Sequence, residues 1–148
     1  MAFGMRLVFT DIIQNNSLKN YYVNGKKSGF EFDIRLAYYR GQYLSCIDKF
    51  EVAVDGEKID SKDITFCLNG KEFSVFQLPY LISEFWTIVT PAKIRVRKPG
   101  GLSLGEHEIE LTLILRSPYM PLPGGEGDRA YVPIDSSDKK ILSIVEQN

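Results

Sequence analysis

Residues 92–115, AKIRVRKPGGLSLGEHEIELTLIL, decide the fold class. Lys93, Arg95 and Arg97 alternate with Ile94 and Val96, and Glu106, Glu108 and Glu110 alternate with His107, Ile109 and Leu111. A period of two marks a strand with one buried and one solvated face. Between the two runs lies Pro99-Gly100-Gly101-Leu102-Ser103-Leu104-Gly105, which has the composition of a turn. The spacing predicts a β-hairpin folded about Gly101 and Leu102. Arg97 then faces Glu106, Arg95 faces Glu108 and Lys93 faces Glu110, so the three cations meet acids on the solvent face. A slip of two residues would keep most of this pairing, whereas a slip of one would set charge against core.

The same reading disposes of two apparent sites. The basic run is the cationic half of a charge ladder rather than a nucleic-acid stripe. Glu106-His107-Glu108 looks like an acid–base cluster, but in a strand His107 points away from both neighbours. Its expected place is opposite Val96, as a structural or rim histidine.

Working outward, other short strands appear. Met5–Ile13, Lys19–Val23, Ile47–Val54 and Glu57–Ile59 read as strands, with Asp55-Gly56 as a two-residue hairpin turn. Ile64–Leu68 and Lys71–Val75 flank a second such turn, Asn69-Gly70, which sets Leu68 against Lys71 and Phe66 against Phe73. Asn24–Gly29 is a loop by composition, followed by a strand from Phe30 to about Ala37 with Phe30, Phe32, Ile34 and Leu36 on one face. Gln77–Trp86 has no clean period, and Pro79 argues against a long helix there. A loop with one helical turn is expected, with Phe85 and Trp86 in the core. After Arg116 the chain turns to SPYMPLPGG, where three prolines argue against a central strand and favour an extended segment. Ala130–Ile134 and Lys140–Val145 read as an edge strand and a terminal element, in a tail that covers an edge or reaches a partner. The sum is all-β: an antiparallel β-sandwich or jelly-roll-like fold, one domain over residues 1–148 with 117–148 as a Pro/Gly-rich extension.

Composition narrows the function. Basic residues number 18 and acidic residues 19, for a net charge of −1, which argues against nucleic acid or an anionic membrane as partner. No apolar run is long enough to span a bilayer, and the first residues are too polar for a signal peptide. Two separated cysteines, Cys46 and Cys67, make no disulfide framework and suit a reduced, cytoplasmic protein. One histidine and two cysteines are a poor basis for a metal site or a catalytic triad, and no phosphate-binding Gly loop is present. No catalytic residue and no metal ligand is assigned on this chain.

The residues suited to contact are aromatic. Five of the eight tyrosines lie between Tyr21 and Tyr43. Tyr38-Tyr39-Arg40-Gly41 combines two flat, hydroxyl-tipped rings with a planar cation and a glycine that permits a sharp turn. Tyr119 and Met120, framed by prolines, form a second adaptable apolar segment. Either could instead pack on its own sheet; as a contact surface, they suit a protein partner or a sugar.

Taken in order, YYRGQYLSCIDKFEVAVDGEKID, the Asn69-Gly70 hairpin, Trp86, VRKPGGLSLGEHEIEL and LRSPYMPLPGG resemble the small β subunit of bacterial C-glycoside deglycosidases, over about Phe30–Pro123. The resemblance implies a β-sandwich subunit paired with a larger TIM-barrel α subunit that carries the catalytic base and a divalent metal, typically Mn2+. It implies a C-glycoside substrate, often a flavonoid glucoside, already oxidised to a ketone at sugar C3. Such a ketone acidifies the C2 proton, the metal can stabilise the enolate, and the C1–aglycone bond leaves by elimination without a glycosidase carboxylate pair. On this reading the chain has no cofactor of its own, and Tyr38, Tyr39, Arg40, Gly41, Tyr119 and Met120 dock near the partner's active-site mouth. The alternatives are a stand-alone carbohydrate- or aglycone-binding module, or an enzyme in its own right.

Overall fold

The computed structural model describes residues 11–37, 40–121 and 131–145, with the backbone alone in 117–121 and 131–132. Twelve strands occur in these residues: β1 (Lys19–Val23), β2 (Lys26–Ile34), β3 (Gln42–Tyr43), β4 (Ile47–Val54), β5 (Glu57–Lys58), β6 (Ile64–Leu68), β7 (Lys71–Ser74), β8 (Phe85–Trp86), β9 (Ala92–Arg97), β10 (Gly105–Pro121), β11 (Tyr131–Asp135) and β12 (Asp138–Ile144). Short 3₁₀ turns cover Leu44–Cys46, Ser61–Asp63 and Val75–Tyr80. One antiparallel sheet runs β1-β2-β9-β6-β7, and a second runs β11-β10-β4-β5 with β12 also on β10. This is the all-β sandwich expected. Its core is the alternate residues of both inner faces, among them Phe30, Phe32, Phe66, Ile94, Val52, Leu111 and Leu113, all buried. Phe66 of the first sheet meets Phe50 of the second edge-on at 5.5 Å and Trp86 at 5.4 Å, fastening the two layers together.

The local turn chemistry holds. Asp55-Gly56 and Asn69-Gly70 take the positive φ values a type I′ turn needs, 51° and 82°, then 54° and 78°. Phe66 pairs with Phe73 and Leu68 with Lys71, as the second turn requires. Asn24-Gly25, expected to be loop, is a third turn of this kind, at 51° and 79°, and β2 therefore begins at Lys26 rather than Phe30. Val75–Tyr80 supplies the single helical turn expected around Pro79. Of Met5–Ile13, only the end is described; Ile13 bridges to Ile34.

The hairpin expected over 92–115 does not form. β9 lies inside the first sheet between β2 and β6, while β10 belongs to the second. Residues 98–104 therefore cross between layers. The basic face of β9 does point outward, but its acids are Glu31 and Asp63 rather than Glu106, Glu108 and Glu110. Lys93 Nζ lies 2.8 Å and Arg95 Nη2 3.5 Å from the Glu31 carboxylate, and Arg97 Nη2 lies 3.0 Å from Asp63. Glu108 pairs instead with Lys139 across the β10–β12 ladder, at 3.7 Å. Charge complementarity alone does not select among these acids.

β10 also runs further than its prolines suggested, to Pro121. The strand loses its β4 neighbour after Leu115, opposite Ile47, and continues against β11 alone. The register there shifts between Arg116 and Pro121, in keeping with Pro118 and Pro121 having no N–H to donate. The tail from 131 to 144 follows β10 back along nearly its whole length, covering that edge.

Candidate functional site

The chain between β2 and β4 and the chain between β7 and β9 meet at one end of the sandwich. β3 pairs with β8, setting Gln42 against Trp86 and Tyr43 against Phe85. The Leu44 N–H donates to the Glu84 carbonyl and the Ser45 N–H to the Leu81 carbonyl. At the end of β2, Arg35 Nη2 donates to the Ile88 carbonyl at 3.0 Å. Both stems of the segment 36–41 are thus pinned to residues 85–88.

Within that segment Arg40 is exposed on a bend, and Gly41 is half-buried. Gly41 is not there for a positive φ, contrary to the sharp turn expected of it. A Cβ at this position would lie 2.6 Å from the Phe85 ring and 2.8 Å from the Trp86 carbonyl oxygen, so the glycine allows close approach. Tyr38 and Tyr39 lie outside the described residues. Tyr119 and Met120 lie on the backbone of β10 beyond Leu115. Six residues at about 3.3 Å each carry this overhang about 20 Å past the start of β4. Arg116 at its base donates to the Ser45 carbonyl at 3.0 Å, four residues from Gly41. The described parts of the two expected segments therefore emerge at the same end of the molecule.

Sequence reasoning placed Trp86 in the core but missed the rest of this end. Trp86 is core, with its indole N–H bonded to the Thr90 carbonyl at 2.8 Å. Phe85, expected beside it in the core, turns outward, as the alternation of a strand requires, and packs edge-on to Tyr43 at 4.9 Å. Phe76, Tyr80 and Ile82 are 64%, 81% and 75% exposed, a display no sequence period announced. The available signal was an apolar segment that fits neither a helix nor a strand period.

The single histidine is structural, as expected, but opposite Leu142 rather than Val96. His107 Nδ1 lies 2.7 Å from Asp55 Oδ2, and Nε2 lies 2.7 Å from the Ser103 carbonyl oxygen. Both partners are acceptors, an arrangement that favours the protonated ring, which donates from both nitrogens. Burial pulls the His107 pKa down, but the hydrogen bonds to Asp55 and Ser103 and the Asp55 charge outweigh it, and the net shift is upward. The His107 hydrogen bond, with the Glu108 N–H, holds Asp55 below the usual carboxylate range. Cys46 and Cys67 are free thiols, each pushed up chiefly by burial and so unsuited to act as thiolates. Among the described residues no three His, Cys, Asp or Glu side chains cluster to hold a metal ion. No described helix is long and apolar enough to cross a membrane.

The described residues thus form an all-β fold with several aromatic side chains exposed at one end. The comparison with known proteins gives the family. Residues 9–119 match the family model of the C-glycoside deglycosidase beta subunit, and the chain belongs to this family. It is 38% identical over 98 residues to the C-glycoside deglycosidase beta subunit of Eubacterium cellulosolvens, covering 66% of this chain and 67% of that one. It is 34% identical over 99 residues to the 3'-dehydrocarminate deglycosidase beta subunit of a Microbacterium sp., covering 66% and 74%. A C-glycoside deglycosidase beta subunit of Microbacterium trichothecenolyticum is 28% identical over 137 residues, covering 90% and 95%. The protein is thus a subunit of a C-glycoside deglycosidase complex.

Proposed function

We infer that this chain is the non-catalytic β subunit of a cytoplasmic carbon–carbon lyase, and that it docks on a larger, metal-dependent TIM-barrel subunit and shapes its active-site mouth. The substrate class is a 3-oxo-C-glucoside of a flavonoid-type aglycone. The relative named for a 3'-dehydro substrate supports oxidation at that position. In the reaction, the C2–H proton is removed and the C1–C2 double bond forms. The C1–aglycone bond breaks, and the aglycone carbon keeps that electron pair and takes up a proton. On this reading a divalent metal, Mn2+, is carried by the partner. The observation that carries the reading is the family match, which runs through Tyr38–Gly41 and reaches Tyr119.

The test is turnover of such a 3-oxo-C-glucoside by the lone chain, the lone larger subunit and the pair. Activity confined to the pair is expected, and turnover by the lone chain contradicts the proposal. Tight binding of a free glycoside by the lone chain would favour a stand-alone binding module instead. Arg40→Ala should lower assembly or turnover by roughly 10-fold while leaving the melting temperature of the lone subunit unchanged.

A further inference from the structure

Six of the twelve large hydrophobic residues exposed among the described residues lie in the fifteen-residue stretch 75–89, and a seventh, Tyr43, packs against that stretch through Phe85. The other five are spread over β1, β12, the residue after β12 and the 98–104 connection, as isolated surface apolars commonly are. A concentration of this kind on a small soluble chain marks a contact surface.

The end-face is built rather than loose. Ser74 and Gln77 form a reciprocal cap on the turn Val75–Tyr80, each satisfying a backbone N–H of the other. Lys71 Nζ holds Glu84 at 3.0 Å, and the 44–45 backbone is bonded to 81 and 84. Rings presented by a fixed backbone lose little freedom on binding, which favours affinity. Between Phe50, Phe76, Pro79 and Tyr80 lies an open hollow of ≈ 280 Å³, large enough for one anchoring side chain. The face is also continuous with the candidate site. Gly41 packs under Phe85, and Arg35 is bonded to the carbonyl of Ile88.

We propose that the larger subunit of the deglycosidase seats on this apolar end-face, with Phe76, Tyr80, Ile82, Phe85 and Tyr43 as its contact core. The inference rests on the reading that the chain works in a complex with a larger subunit, and it adds where that subunit binds. Membership of a β-subunit family supplies the occupant: an assembled β subunit has a face covered by another chain. Aromatic side chains with a preformed hollow are what the centre of such an interface is made of.

The experiment measures the Kd of the larger subunit for the wild-type chain, for the double variant Phe76→Asp/Tyr80→Asp, and for a control double variant, Tyr22→Asp/Ile141→Asp. The face variant should bind at least about 100-fold more weakly, and the control within about 3-fold of wild type. Both lone variants should keep the wild-type melting temperature, because all four side chains are exposed. As an independent readout on unaltered protein, hydroxyl-radical labelling of Phe76 and Tyr80 should fall several-fold when the complex forms. Wild-type affinity in the face variant, or unchanged labelling, overturns the proposal. So does a lone-chain dimer that the same substitutions abolish while assembly with the larger subunit survives. Absence of any complex with the wild-type chain would instead sink the subunit reading itself.

Discussion

His107 shows how one side chain can be read through its partners. Two acceptors at 2.7 Å favour it as a double donor between the β4–β5 turn and the start of β10. Its folded pKa is raised, so its stabilising effect is fully present below the ordinary histidine value and is lost as pH rises through the folded one. Asp55 is shifted the other way, so its contribution is present above the ordinary carboxylate value and is lost as pH falls. The pair therefore supports the fold most between about pH 4 and pH 6.5. Asp55 is half exposed, which screens the pair and keeps the effect modest. His107→Gln should lower the melting temperature near pH 5.5 and matter less near pH 8.5; a difference independent of pH would contradict this account. Gln42 is the opposite case, 2% exposed with neither amide atom hydrogen-bonded among the described residues.

At the scale of the element, the β2–β9 ladder is the tightest point. A Cβ on Gly29 would lie 2.0 Å from the Val96 carbonyl oxygen, backbone against side chain with no flexible group to yield. Gly29→Ala should therefore destabilise by about 3 kcal/mol or more in chemical denaturation; a loss under about 1 kcal/mol would mean the ladder can shift. Elements also show what the sequence could and could not disclose. Asp55-Gly56 and Asn69-Gly70 were readable because a type I′ turn is a local demand on two residues. Asn24-Gly25 has the same chemistry, but its flank, Lys26-Lys27-Ser28, has no apolar alternation to reveal the strand. The pairing of β9 was unreadable for a different reason. Glu31 and Glu106 offer identical chemistry to Arg95 and its neighbours, and which one is near depends on contacts some 60 residues apart. Exposure of Phe76 and Tyr80 is likewise set by the whole fold. No local pattern separates them from core residues such as Leu78.

For the whole molecule, the two sheets bury their alternate residues against each other and leave one end aromatic. That end gathers the stems of 36–41, the 75–89 face and the base of the β10 overhang, each tied to the others by backbone or side-chain bonds. Elsewhere the described surface carries ion pairs such as those of Glu51 with Lys58 and Arg97 with Asp63, which solvate a fold but do not assemble one. On the proposed reading, a β subunit of a deglycosidase with this anatomy is a cap for the larger subunit. The most direct measurement is size-exclusion chromatography with light scattering on the chain co-expressed with its larger subunit. The account predicts a single co-eluting species whose mass requires both chains; two separate peaks at micromolar concentration would contradict it.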